Sequence, residues 1–133
     1  LNQLRHVRVL PDAASVAAHM QRHAALLRPK FAAVEAILTR VLGGTGTAEW
    51  SRPNGGYFVS VDTMDGCAAA VVAMADAAGV KLTKAGATFP YGKDPRDRNI
   101  RLAPSMPSLP EIEQAMELFA LCVKRASVAR LLG

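Results

Sequence analysis

Arg101 stands between Ile100 and Leu102. A guanidinium placed between two aliphatic residues of an extended segment needs an anion to pair with. An arginine on a strand presents a rigid planar fork, and that fork matches a carboxylate through two parallel hydrogen bonds. The pattern leaves two readings open: a bound carboxylate, or a structural salt bridge to one of the eleven acidic residues. Arg101 closes the stretch Lys93-Asp94-Pro95-Arg96-Asp97-Arg98-Asn99-Ile100-Arg101, which mixes turn formers with three arginines. Arg96 and Arg98 are expected on the loop surface, paired with Asp94 or Asp97.

Other chemistry is sparse. His19 and His23 are four residues apart and share a helix face. No further ligand has an obvious place beside them, so they read as surface or interface histidines and no metal site is expected. Gly43-Gly44-Thr45-Gly46 follows a helix instead of preceding one, so it offers no helix N-terminus to a phosphate. The sequence has no G-x-S-x-G, H-E-x-x-H or P-loop motif. Cys67 and Cys122 lie in apolar patterns without metal spacing. Two buried free thiols fit a reducing compartment, and a cytoplasmic location is expected. The lysines are Lys30, Lys81, Lys84, Lys93 and Lys124. All read as solvated, with Lys84 and Lys93 at the rim of a site.

The elements that must position Arg101 are read from periodicity. Leu4 to Leu10 alternates and reads as an extended entry segment. Pro11 breaks it and Asp12 can cap a helix beginning at Ala13. From Ala13 to Leu42 the period is helical, with Val16, Met20, Ala24 and Leu27, then Phe31, Val34, Leu38 and Val41, on one face. Pro29 interrupts it, which predicts a long kinked helix or two helices meeting near Arg28. Ala48 to Trp50 and Tyr57 to Val61, separated by Pro53-Asn54-Gly55-Gly56, predict a hairpin. A helix over Gly66 to Ala78 is expected, capped by Asp65, then a short strand over Val80 to Leu82. Ala85 to Arg98 is an irregular loop, and a loop of that length is often functional. Asn99 to Ala103 reads as a strand. Ser108 and Glu111 form an S-x-x-E capping box with Pro110 in the first turn of a last helix reaching Leu132. The predicted class is α+β: a small, mostly antiparallel sheet covered by helices.

The bulk composition agrees with a single globular domain. Half of the residues are hydrophobic and only a fifth are charged, so a real core can form. The net charge of +5 is spread along the chain without a basic run, so nucleic acid is not an expected partner. No signal peptide and no apolar stretch of membrane-spanning length is seen, so no membrane association is expected. The N-terminal Leu1 is not an initiator methionine, and a fragment or processed product is expected.

Four segments, taken in order, carry a resemblance. Pro53-Asn54-Gly55-Gly56-Tyr57-Phe58-Val59-Ser60-Val61-Asp62 resembles the P-x-GG-aromatic-F hairpin of class I, fold type I, aminotransferases. Ala78-Gly79-Val80-Lys81-Leu82-Thr83 is similar to the following AGV element. Gly86-Ala87-Thr88-Phe89-Pro90 is similar to the next loop, and Asn99-Ile100-Arg101-Leu102-Ala103 to the strand after it. The wording of Tyr91 to Arg101, with Asn2 to Arg8, Met20 to His23 and Leu27 to Phe31, resembles a bacterial branch described as aspartate aminotransferases and common in actinobacteria.

The resemblance implies that residues 1–133 are the small C-terminal domain of an enzyme that uses pyridoxal 5'-phosphate (PLP). It implies that Arg101 binds the substrate α-carboxylate, with Tyr57, Thr88 and Phe89 as further substrate-binding candidates. It places the PLP-anchoring lysine, and the other cofactor-binding groups, in a large domain upstream of Leu1. No catalytic or cofactor-binding residue is therefore expected in this chain, and the chain alone is expected to be inactive. The implied reaction moves an amino group between an amino acid, aspartate by the branch, and a 2-oxo acid, 2-oxoglutarate, in a homodimer. Closure of the small domain would hinge near Pro29. The alternatives are a self-associating inactive module, or the effector domain of an aminotransferase-like transcription regulator.

Overall fold

A computed structural model describes residues 1–133. The chain forms four α-helices and one three-stranded sheet, in the order α1 (Asn2–Val9), α2 (Ala13–Leu42), β1 (Ala48–Trp50), β2 (Val59–Thr63), α3 (Ala68–Ala77), β3 (Asn99–Leu102) and α4 (Leu109–Leu132). This is the α+β architecture that the periodicity predicts.

The first element differs from expectation. Leu4 to Leu10 is not extended; it belongs to the helix α1, which buries no residue. Leu1, Leu4 and Val7 recur at helical spacing as well as alternating, so both templates fit this segment. A strand there would need a ladder partner, and the three strands pair among themselves. A helix satisfies its backbone internally.

Asp12 caps α2, accepting from the Ser15 amide at 2.7 Å. The helix is one unit, running through Pro29 instead of splitting near Arg28. Pro29 offers no amide to the Ala25 carbonyl, and Ala25 is exposed, so water can serve that oxygen. Only the C-terminal half of α2 reaches the core, through Val34, Ile37, Leu38 and Leu42.

The sheet is antiparallel with strand order β1-β2-β3. Val59 faces Leu102 and Val61 faces Ile100 across the β2–β3 ladder, and these four are buried. The alternate positions put Ser60 opposite Arg101 and Asp62 opposite Asn99 on the other face. β2 begins two residues later than the β-rich run Tyr57 to Val61, because Gly56 at φ 93 turns the chain just before it. Val80 to Leu82 forms no strand. The Val80 amide instead closes the end of α3, donating to the Ala75 carbonyl at 2.8 Å.

The cap of α3 is also a correction. Asp65 does not cap it, because its carboxylate is held by Arg96 at 2.9 Å. Asp97, from the loop before β3, takes the role. Its carbonyl accepts from the Ala68 amide at 2.9 Å and its Oδ1 from the Ala69 amide at 3.0 Å. Asp97 sits at φ 45, a left-handed conformation that Asp tolerates better than most residues. Asp97→Ala is expected to cost about 1–2 kcal/mol by loss of the cap, read as a lowered urea midpoint. An unchanged midpoint would remove Asp97 from the cap.

Helix α4 starts on the predicted capping box, with Glu111 Oε2 accepting from the Ser108 amide at 2.7 Å. Phe119, Ala120 and Val123 of α4 are fully buried and belong to one core with Leu38, Val61 and Val71, which joins α2, the sheet and α3. Arg40 of α2 and Glu117 of α4 form an ion pair at the rim. No helix is long and apolar enough to cross a membrane.

Candidate functional site

The polar face of β2 and β3 gathers Ser60, Asp62, Asn99 and Arg101. The neighbouring apolar residues Val59, Val61, Ile100 and Leu102 anchor this face by packing into the core. Its four polar side chains are therefore set by the pleat and not by a flexible loop.

Arg101 is half-buried and belongs to none of the ion pairs of the chain. Its Nε is buried with no hydrogen-bond partner. Its guanidinium carbon lies 4.4 Å from the centre of the Phe58 ring. Of the two readings that the sequence leaves open, the internal salt bridge is thus absent.

Asn99 is the hub beside it. Its Nδ2 donates to Ser60 Oγ at 2.9 Å and to Asp62 Oδ1 at 2.6 Å. Its Oδ1 accepts from Thr88 Oγ1 at 2.6 Å. Thr88 is thereby tied to the same sheet face as Arg101, while the adjacent Phe89 is exposed at the start of a 3₁₀ turn over Pro90–Gly92. Thr88→Val is expected to free this loop, because it removes a hydrogen bond worth about 1 kcal/mol. Amide exchange over residues 85–92 should then quicken several-fold, and exchange at the parent rate would show that the contact does not hold the loop.

The turn leading into β3 is pinned by Asp94, whose carboxylate accepts from the amides of Arg96 (3.0 Å), Arg98 (2.8 Å) and Asn99 (2.8 Å). Desolvation pushes the Asp94 carboxyl up, but these three donors and the Arg98 charge outweigh it and hold it below the usual carboxylate range. Arg96 and Arg98 do not pair with Asp94 or Asp97 through their side chains. Arg96 binds Asp65, and Arg98 binds Asp62 at 3.3 Å with Asp65 at 3.8 Å. Asp94 and Asp97 are unavailable because backbone amides already occupy them.

Tyr57 is placed elsewhere. With Val59 it lines a cavity of about 760 Å³ between the hairpin turn and α2, walled by Leu27, Arg28 and Phe31. Arg101 does not line that cavity. Phe58, which the resemblance places with Tyr57 on the hairpin edge near the site without a direct contact, is the aromatic that meets Arg101. Asn99 was not singled out for the site. The signal for both is the β2–β3 register, which puts Phe58 diagonal to Arg101 and Asn99 two residues from it on one face.

His19 and His23 stack with ring centres 4.5 Å apart. No group of three His, Cys, Asp or Glu is close enough to hold a metal ion. Cys67 and Cys122 are buried, and burial pushes both thiols up. No lysine lines the cavity. Lys30 is tied to the Ser105 carbonyl at 2.8 Å, and Lys81, Lys84, Lys93 and Lys124 are exposed. An anchoring lysine for PLP needs a desolvated pocket that lowers its basicity. These residues do not provide one, so they do not by themselves fit PLP.

The family model of the aspartate amino-transferases matches residues 1–133, the entire chain. The chain belongs to the aspartate amino-transferase family. A protein of Mycolicibacterium smegmatis named an aminotransferase is 50% identical over 133 residues, covering 100% of this chain and 31% of the relative. The aspartate aminotransferase of Corynebacterium glutamicum is 46% identical over 127 residues, 96% of this chain and 29% of the relative. The crystal structure of an aspartate transaminase from C. glutamicum superimposes with a TM-score of 0.93 over 97% of this chain and 30% of that one. An α-aminoadipate aminotransferase from Thermus thermophilus, 20% identical, shares the fold with a TM-score of 0.71. The chain thus spans about a third of the length of its relatives and corresponds to the small C-terminal portion of these larger aminotransferases.

Proposed function

We propose that residues 1–133 are the substrate-orienting half of a PLP-dependent aminotransferase. The observation that carries this reading is the unpaired Arg101 fork on a rigid strand. A carboxylate is the planar anion that such a fork grips best. Every amino acid and every 2-oxo acid carries one next to the reacting carbon, so a single arginine can orient both substrates of a transamination. Thr88 and Phe89 would border the same face, through the bond from Thr88 to Asn99.

PLP, held by the large domain, would supply the electron sink. The contribution of this chain is orientation: a fixed carboxylate fixes the α-carbon to which it is attached. Aspartate as donor is read from the C. glutamicum relative, whose name is aspartate aminotransferase, and 2-oxoglutarate as acceptor from the family resemblance. Tyr57 lines the cavity against α2 and is kept as a weaker substrate candidate from the family resemblance. The intact protein is read as a cytoplasmic homodimer, and the two buried free thiols fit a reducing compartment.

The test uses the intact two-domain protein. With PLP, aspartate and 2-oxoglutarate it should form oxaloacetate and glutamate. Borohydride trapping followed by peptide mapping should place the PLP adduct on a lysine outside residues 1–133. An adduct on Lys30, Lys81, Lys84, Lys93 or Lys124 would overturn the division of labour. No product with any amino acid would overturn the activity.

A further inference from the structure

A guanidinium that must receive a carboxylate faces a difficulty. Its side chain has many rotamers, and holding one usually requires an acidic partner. That partner would neutralise the charge and occupy the donors that the substrate needs. Arg98, four residues from the Asp94 clamp, takes that course and is held by Asp62 and Asp65. Arg101 has no such partner. It has the Phe58 ring 4.4 Å from its guanidinium carbon.

An aromatic face holds a guanidinium differently from a carboxylate. It attracts the cation through the ring quadrupole. It accepts none of the N–H donors, which point outward in the plane of the group. The fork is oriented while its edge stays free.

The chain builds this contact locally. Gly55-Gly56, with Gly56 at φ 93, turns the backbone so that Phe58 enters just ahead of β2. Ser60 lies opposite Arg101, so Phe58 is its diagonal neighbour on the same face. Tyr57 turns to the cavity on the α2 side. The Arg101 Nε, buried without a partner, marks the inner edge of the guanidinium as closed to water.

We propose that Phe58 is the positioning residue for Arg101. It sets the affinity for the α-carboxylate common to both substrates, and it does not choose between substrate side chains. This rests on the reading of Arg101 as the carboxylate-binding arginine.

The experiment compares Phe58→Leu, Phe58→Tyr and Arg101→Ala in the intact holoenzyme. Phe58 is 47% exposed, so a leucine there is compatible with folding, and thermal melting checks it. Phe58→Leu should raise KM for the amino acid and for the 2-oxo acid by the same factor, about 3- to 10-fold, with kcat little changed. Binding of succinate, an unreactive dicarboxylate, measured by titration calorimetry, should weaken by a similar factor. Phe58→Tyr, which keeps the ring, should restore KM and succinate affinity. The ratio of kcat/KM between aspartate and other amino acids should stay constant across the variants.

A loss confined to one substrate, or a changed ratio among donors, would mean that Phe58 lines the side-chain pocket, and the proposal would fall. Unchanged KM and succinate affinity in Phe58→Leu, beside a large loss in Arg101→Ala, would overturn the proposal and leave the role of Arg101 standing. An unchanged Arg101→Ala would remove the reading beneath it.

Discussion

Arg101→Ala in the intact enzyme is expected to lower kcat/KM by about 100- to 1,000-fold, which is about 3–4 kcal/mol of lost transition-state binding. The size comes from the geometry. The fork spends no donor on an ion pair inside the protein, so its outer N–H groups are open to a substrate carboxylate. Arg101→Lys keeps the charge but loses the paired donors and the guanidinium contact with Phe58, and should fall between the parent and the alanine variant. Thermal stability should change little in either, because no ion pair breaks. Steady-state kinetics on both substrates, set beside a melting curve, checks this. Parent-like kcat/KM in Arg101→Ala would take the residue out of the site.

The largest stability effect is expected at Phe119. It is the largest fully buried side chain of the chain, at 0% exposure in the middle of α4. Phe119→Ala should cost about 3–5 kcal/mol, through lost burial and the cavity left behind. That is a large share of the roughly 5–15 kcal/mol that holds a typical domain. Urea unfolding followed by circular dichroism reads it. Leu131→Ala, at a position 71% exposed near the end of the same helix, is the control and should shift stability by less than about 0.5 kcal/mol. Equal effects at the two positions would mean that the core does not centre on Phe119.

The sequence was informative where a local rule had no competitor. Ser108 and Glu111 mark the start of α4 by themselves, because a capping box is complete within four residues. The strand character of Asn99 to Leu102 is written in its alternation, and so is the outward placement of Arg101. Where two local rules fit, only tertiary partners decide. Leu4 to Val9 satisfies both periods, and the absence of a ladder partner makes it a helix. Asp65 stands correctly to cap α3, yet Arg96, 31 residues away, draws it off and Asp97 replaces it. Val80 to Leu82 has strand composition and no strand to join.

The site shows the same division. The outward, unpaired position of Arg101 was legible from its neighbours, and the family motif supplies the carboxylate proposed for it. The hairpin motif brought Phe58 near the site, but its contact with Arg101 and the hub position of Asn99 depend on the β2–β3 register. Asp62 opposite Asn99 and Ser60 opposite Arg101 are pairings across some forty residues of intervening chain. No spacing rule reaches that far.

The free half of α2 has a consequence for how this chain moves through solution. Residues 13–30 make a rod about 27 Å long at 1.5 Å per residue, and with α1 they contribute no buried side chain. The accessible surface is 8799 Å², against about 6,700 Å² for a compact monomer of this mass. A sphere-like particle of this length would have a radius of gyration near 14 Å. The rod adds hydrodynamic drag out of proportion to its mass, so residues 1–133 on their own should sediment slowly and elute early for 14.1 kDa. A lever of that length also amplifies: a bend of about 5° at Pro29 sweeps its tip by roughly 2 Å.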